Sequence, residues 1–193
     1  LYSYQKGDIQ SIFERLDNAP ANHHLLYQLP TGGGKTVVFS EIVRQYLSKH
    51  NKKVVVLTHR IELCKQTSKM LKGIGVKNKI INDEKLHLDN IGLVIIDEAH
   101  YNSFRKLLSS FKNAFILGVT ATPLSSNIKL PMHESYNELI VGDNISSLIE
   151  KGFLAKAITY SYDVGLTSLK VGINGDYTVK SSDDLYTNMA MQE

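Results

Sequence analysis

A chain of 193 residues, 42% hydrophobic and 21% charged, has the make-up of an ordinary globular protein, long enough to bury a core without disulfides or structural metals. Its 22 basic and 19 acidic residues leave a net charge of +3, too mild to point to a polyanion partner, so a nucleic-acid reading has to rest on motifs. The lone cysteine, Cys64, has no internal partner, no apolar run approaches the roughly 18 residues of a membrane span, and no signal-peptide pattern opens the chain. The expectation is a reducing, cytoplasmic location. The first residue is Leu1 rather than Met, which sets the further expectation of a piece of a longer protein.

In chain order, residues 25–29 read as a strand closing at Pro30, and residues 35–49 as a helix. Residues 54–57 form a buried strand, followed by a helix over 61–71 with Cys64 facing the core. Residues 93–96 are too short for a helix and rich in β-branched side chains, as a central strand is. A helix over 104–111 and a strand over 114–119 follow. In the tail, residues 145–151 suggest a short helix stopped by Gly152, and 158–164 alternate like a strand. Beyond Gly165 the composition turns to Gly, Ser, Asn and Asp, with weak strand character at 177–179. His23 and His24 read as a surface loop. Alternating short apolar and longer amphipathic runs indicate an α/β fold with a mainly parallel central sheet. Ligands in such sheets gather beyond the carboxyl ends of the strands. The expected division is residues 1–143 as a nucleotide-binding domain and 144–193 as an extension.

Between the first strand and the first long helix lies Pro30-Thr31-Gly32-Gly33-Gly34-Lys35-Thr36. Glycines let backbone N–H groups turn inward around a phosphate, and the helix N-terminus adds partial positive charge. Lys35 would reach the β- and γ-phosphates, and the Thr36 hydroxyl would coordinate Mg²⁺. The usual pattern has glycine where this chain has Leu29. A glycine-rich turn with an incidental lysine is the competing view, and the strand–loop–helix context argues against it.

Two carboxylates, Asp97 and Glu98, follow the apolar run 93–96. Asp97 would hold the Mg²⁺ shell, and Glu98 would orient and deprotonate the attacking water. Gly118-Val119-Thr120-Ala121-Thr122-Pro123 ends another apolar strand. Its hydroxyls could bond to His100 or to the acidic pair. Taken singly, each could be an ordinary turn; their order and spacing carry the weight.

Gly34-Lys35-Thr36, then Asp97-Glu98-Ala99-His100, then Thr120-Ala121-Thr122-Pro123 closely resembles the first RecA-like domain of superfamily 2 DEAD/DEAH-box helicases, nearest to DNA-repair and restriction-type members. The resemblance implies a three-layer RecA-like phosphate-loop NTPase. It implies ATP bound by Gln5, Thr31, Gly32, Gly33, Gly34, Lys35 and Thr36, Mg²⁺ held by Thr36 and Asp97, and Lys35, Asp97 and Glu98 as the catalytic set. Gln5, before Ile9 and Ile12 on a helix, matches the glutamine that reads adenine, a base whose N6 and N7 suit an amide. Thr58, His59 and Arg60 match the motif that meets the nucleic-acid backbone. His100, Thr120 and Thr122 match the residues that couple nucleotide state to movement. Residues 136–154 resemble the segment joining two motor domains, so a second RecA-like domain with arginine fingers is expected elsewhere in the full-length protein. The family usually fits another strand and motif between Gln66 and Leu93, so this stretch is either trimmed or lacks residues between Gly75 and Asp89.

The expectation is an ATP-dependent helicase or translocase acting on nucleic acid, DNA before RNA. The alternatives are an ATP-driven nucleic-acid-sensing switch that does not unwind, and the motor of a restriction enzyme. A nucleotide kinase or transport ATPase needs neither the Thr120 turn nor the Thr58 motif.

Overall fold

The computed structural model describes residues 1–20, 22–80, 89–160, 169–172 and 177–187. By contacts between Cα atoms it comprises two units, Leu1–Ala155 and Lys156–Glu193.

Five short runs rich in Val, Ile and Leu build the sheet of the first unit: β1 His24–Gln28, β2 Lys53–Leu57, β3 Ile91–Asp97, β4 Phe115–Thr120 and β5 Glu138–Val141. They lie in the order β2-β3-β4-β1-β5, and every pairing is parallel. Parallel neighbours require crossovers, which cover the faces and bury the central strands on both sides, whereas β2, expected to be buried, lies at one edge and is only half-buried. That is why β3 and β4 are buried at every residue and read as unbroken apolar runs.

Side chains alternate between two cores, as the strand period of two demands. Leu93 and Ile95 join Leu25, Tyr27, Leu117 and Val119 on one face. That face is covered by α1 Ser3–Asn18, α2 Lys35–Lys49 and α3 Ile61–Gly73. In α1 the buried residues Gln5, Ile9, Ile12 and Phe13 form one helical stripe. Val94 and Ile96 join Leu26 and Ile116 on the other face, under Leu108, Phe111, Met132 and Tyr136.

Several sequence expectations change in detail. The helix expected over 104–111 contracts to α4 Arg105–Leu108, because the N–H groups of Ser110 and Phe111 donate to Leu107 and Leu108, closing three-residue turns. Residues 138–141, read only as part of a joining segment, form β5, the edge strand beside β1. His23 and His24 are not a surface loop. His24 opens β1 with Nδ1 2.7 Å from the Ser135 carbonyl, and His23 Nε2 lies 3.3 Å from Glu138 Oε2.

The expected helix near Gly152 is α5 Ile145–Glu150. Asn144 caps its start, accepting from Ser147 N–H at 2.8 Å. Gly152 ends it at φ 75°, with Gly152 and Phe153 N–H donating to Ile149 and Leu148 carbonyls, a Schellman stop. In the second unit, the expected strand over 158–164 falls largely outside the described residues, and 158–160 are not strand. Tyr177 makes a single antiparallel bridge to Val171. Val179 is not strand either, because Thr178 accepts from Ser181 N–H and caps a helix there, α6 Val179–Tyr186.

Candidate nucleotide-binding and hydrolysis site

Because all five strands are parallel, their carboxyl ends share one edge. Register pairs Leu57 with Ile96, Asp97 with Val119, and Gln28 with both Thr120 and Val141. Thr58, Asp97 and Thr120, and the loop that begins at Leu29, therefore emerge side by side.

The loop after β1 winds into the N-terminus of α2. Gly34 is the helix N-cap in left-handed backbone at φ 85°, and Gly32 is left-handed at φ 83°. Glycine is required at both positions, since other residues adopt this region at a cost. A Cβ on Gly34 would meet Gln5 Nε2 at 2.6 Å, and one on Gly33 would meet Leu29 Cγ at 2.8 Å. No side chain caps α2, so its first N–H groups keep their hydrogen-bonding capacity for an anion. Leu29, the departure from the usual glycine, is fully buried in the core. The departure leaves the cradle unchanged.

Gln5 is buried and braces this loop from behind. Its Nε2 donates to the Gly33 carbonyl at 3.1 Å and to Tyr4 Oη at 3.3 Å, while Oε1 accepts from Tyr2 N–H at 3.0 Å. Tyr4 Oη also donates to the Gly33 carbonyl, at 2.7 Å. The Tyr2, Tyr4 and Phe153 rings cluster beside it, with centroids 4.8 to 6.0 Å apart. This second anchor through Tyr4 was not legible in spacing alone.

Asp97 ends β3, buried, and its Oδ1 accepts from Glu98 N–H at 3.0 Å. Burial raises its carboxyl above the ordinary range and the Glu98 charge adds to that, while the Glu98 N–H and Lys35 pull it down. A cation beside Asp97 would relieve the penalty, which is the chemistry expected of a Mg²⁺ ligand, with Thr36 on the first turn of α2 as the hydroxyl partner. Wherever the carboxylate is ionised, the fold carries the cost of burying it. Asp97→Asn removes that cost and keeps an oxygen for the Glu98 N–H. The nucleotide-free variant is expected to gain about 0.5–2 kcal/mol of stability at pH 8 while losing Mg²⁺-dependent turnover. A raised carboxyl stabilises the fold only when protonated, so the gain narrows as pH falls through its raised range. Thermal melts at several pH values test this; a variant less stable than wild type at pH 8 refutes it.

Glu98 adopts left-handed backbone at φ 52° and caps the short turn Ala99–Tyr101. Within that turn His100 Nδ1 lies 2.9 Å from Thr120 Oγ1 and 3.4 Å from Glu98 Oε2. Burial lowers the imidazole below its ordinary range; Glu98 opposes this, and His59 and Lys35 reinforce it. Thr120, fully buried, donates to the Thr122 carbonyl at 2.9 Å and accepts from Thr122 N–H at 3.1 Å. A hydroxyl has one proton, so with that proton on Thr122 the His100 Nδ1–H is the donor to Thr120. Neutral imidazole satisfies this arrangement. The three coupling candidates are thus in direct contact.

Thr58, His59 and Arg60 follow β2, with Arg60 exposed at the N-cap of α3. Tyr101, which the sequence reading passed over, packs on His59 at 4.5 Å between ring centroids and on His100 at 4.1 Å. Cys64 on α3 is half-buried, and burial pushes its thiol up.

Comparison with known proteins is consistent with this geometry. The chain matches the family model described as "Type III restriction enzyme, res subunit" over residues 1–85 and 76–125. It is 31% identical over 171 residues to a 51.5 kDa protein of a Lactococcus phage, covering 82% of this chain and 37% of that protein. It is 32% identical over 118 residues to the putative ATP-dependent helicase IRC3 of Saccharomyces cerevisiae, covering 44% of this chain and 17% of that protein. The chain therefore spans well under half the length of these curated relatives. Among solved structures, a nuclease-deletion mutant of the Type ISP restriction-modification enzyme LlaGI, in complex with a DNA substrate mimic, superposes with a TM-score of 0.60 at 15% identity, covering 87% of this chain and 22% of that one. At that identity the likeness establishes the fold, which is RecA-like. With the family model matched over more than half its length, this chain belongs to the type III restriction enzyme res-subunit family.

Proposed function

We propose that this chain is the first motor domain of an ATP-dependent helicase or translocase that moves on DNA. The observation that carries the reading is one sheet edge on which the Gly32–Thr36 loop, Asp97 and Glu98, and the His100–Thr120 contact stand beside Thr58–Arg60.

Lys35 and the N–H groups of the loop bind the β- and γ-phosphates of ATP. Thr36 and Asp97 would hold Mg²⁺, which when bound would neutralise charge on the phosphate oxygens. Glu98 orients the attacking water and takes its proton. Gln5 reads adenine through the second lone pair of Oε1 and the Nε2 hydrogen now directed at Tyr4. His100, Thr120 and Thr122 relay the state of the γ-phosphate, and Thr58, His59 and Arg60 meet the nucleic-acid backbone. Arginine fingers worth on the order of 10³–10⁵ in rate would come from a second RecA-like domain of the full-length protein, so the isolated domain hydrolyses ATP weakly. The setting is cytoplasmic.

The yeast relative's description as an ATP-dependent helicase supports ATP as the nucleotide. DNA is favoured over RNA by the restriction-enzyme family and by the DNA mimic bound to LlaGI. Those two also favour one variant of the reading, in which the motor serves a restriction enzyme.

The test uses the full-length protein with DNA and RNA duplexes side by side, measuring ATP turnover, strand displacement and triplex displacement. DNA-stimulated turnover with strand or triplex displacement is expected. Turnover that no nucleic acid stimulates overturns the motor reading, and stimulation by RNA alone overturns the choice of DNA.

A further inference from the structure

Glu98 and Asn102 both hold left-handed backbone, at φ 52° and 56°, and bracket the three-residue turn Ala99–Tyr101. Neither is glycine, so the surroundings must hold the turn in shape. They do so through the segment after Thr122: Ser126 N–H donates to the His100 carbonyl at 3.0 Å, and Asn102 Nδ2 donates to Ser125 Oγ at 2.6 Å. Pinned at its middle and its far end, the turn is a single unit. It presents Glu98 at its start, His100 on Thr120 in its middle, and Tyr101 at its far end.

Tyr101 reaches across to the other motif. Its ring lies 4.5 Å from His59 and 4.1 Å from His100, so three rings in succession join the segment after β2 to the turn that carries Glu98. Its hydroxyl makes no hydrogen bond among the described residues, which leaves the ring face as the contact. The far end of the chain of rings is under-satisfied. Thr58 Oγ1 and His59 Nδ1 are both buried without a hydrogen-bond partner among the described residues. Buried polar atoms without partners are costly, so this segment gains by rearranging when a ligand supplies partners.

We propose that Tyr101 is a positioning residue that transmits nucleic-acid binding to ATP hydrolysis. Displacement of His59 by a bound phosphate backbone shifts the Tyr101 ring, and the ring moves the Glu98–His100 turn as one piece. This rests on the motor reading above, and it adds a residue and a route that the matched motifs do not contain.

The experiment compares wild type, Tyr101→Ala, Tyr101→Leu and Tyr101→Phe in the full-length protein. Basal ATP turnover, maximal DNA-stimulated turnover and DNA affinity without nucleotide are measured for each. For Ala and Leu the expected result is basal turnover and DNA affinity within about twofold of wild type, with stimulation reduced about tenfold. Phe, which keeps the ring, restores stimulation. Leu keeps part of the apolar bulk without a ring, so a packing defect in Ala alone does not decide the matter. Wild-type stimulation in Tyr101→Leu overturns the proposal. So does a fall in basal turnover equal to the fall in stimulated turnover, or failure of Phe to rescue. If wild type itself is not stimulated by DNA or RNA, the motor reading fails and the proposal falls with it.

Discussion

Glu98→Gln is expected to bind ATP as wild type does and to lose about 10²–10⁴-fold in turnover, the contribution of a positioned general base. Glutamine matches glutamate in size and can keep the 3.4 Å approach to His100 Nδ1 as an amide-oxygen acceptor. It also places no new demand on the left-handed backbone at this position beyond that already met by glutamate. Binding survives because the phosphate cradle is built from other groups: the glycine loop, Lys35 and the N-terminus of α2. What disappears is the carboxylate able to take a proton from the attacking water. The check is single-turnover hydrolysis by the full-length protein beside equilibrium binding of ATP. Turnover within tenfold of wild type would remove Glu98 from the role of base.

Lys35→Ala is expected to lose nucleotide rather than turnover. Lys35 is the first residue of α2, half-buried beside the left-handed Gly34, and it lies close enough to Asp97 to lower that carboxyl. Removing one partner of a desolvated charge pair costs about 2–5 kcal/mol in binding, or roughly 30- to 4,000-fold in affinity. The fold should lose little, because the better helix propensity of alanine offsets the loss of the favourable charge beside buried Asp97. Titration with a fluorescent ATP analogue beside a thermal melt separates the two effects. An unchanged melting temperature with affinity lost is the expected pair. Affinity within threefold of wild type would overturn the assignment.

Much of the fold is legible in the sequence because a parallel sheet buries its strands on both faces. Residues 93–96 and 114–119 can only be interior; the structure extends the first by two residues before and one after into β3, and shifts the second by one into β4. The α2 bounds follow from the glycine loop at its start, and Gly152 marks the stop of α5 through its left-handed backbone. The edge strand β5 was harder, since its burial alternates and half of its side chains face outward. The α6 helix was hidden by its composition: Ser, Asp and Thr favour turns unless a cap such as Thr178 starts a helix. His23 and His24 looked like loop because neither is apolar, yet His24 finds the carbonyl of buried Ser135 and His23 the half-buried carboxylate of Glu138.

The sequence by itself marked out the candidate site, because the proposed phosphate binding and water activation demand particular residue types at strand ends. Gly32 to Thr36, Asp97 and Glu98, and Thr120 are recognisable from their neighbours in the chain alone. Only the tertiary structure decided what joins them. The bond from His100 to Thr120, the bracing of Gly33 by Tyr4 and Gln5, and the ring contacts of Tyr101 link residues far apart in the chain or pointing unpredictably from a turn. Local pattern reports which way a strand or helix face points. It does not report which side chains from different elements meet, since that depends on register and crossover, and these are set by packing the whole core.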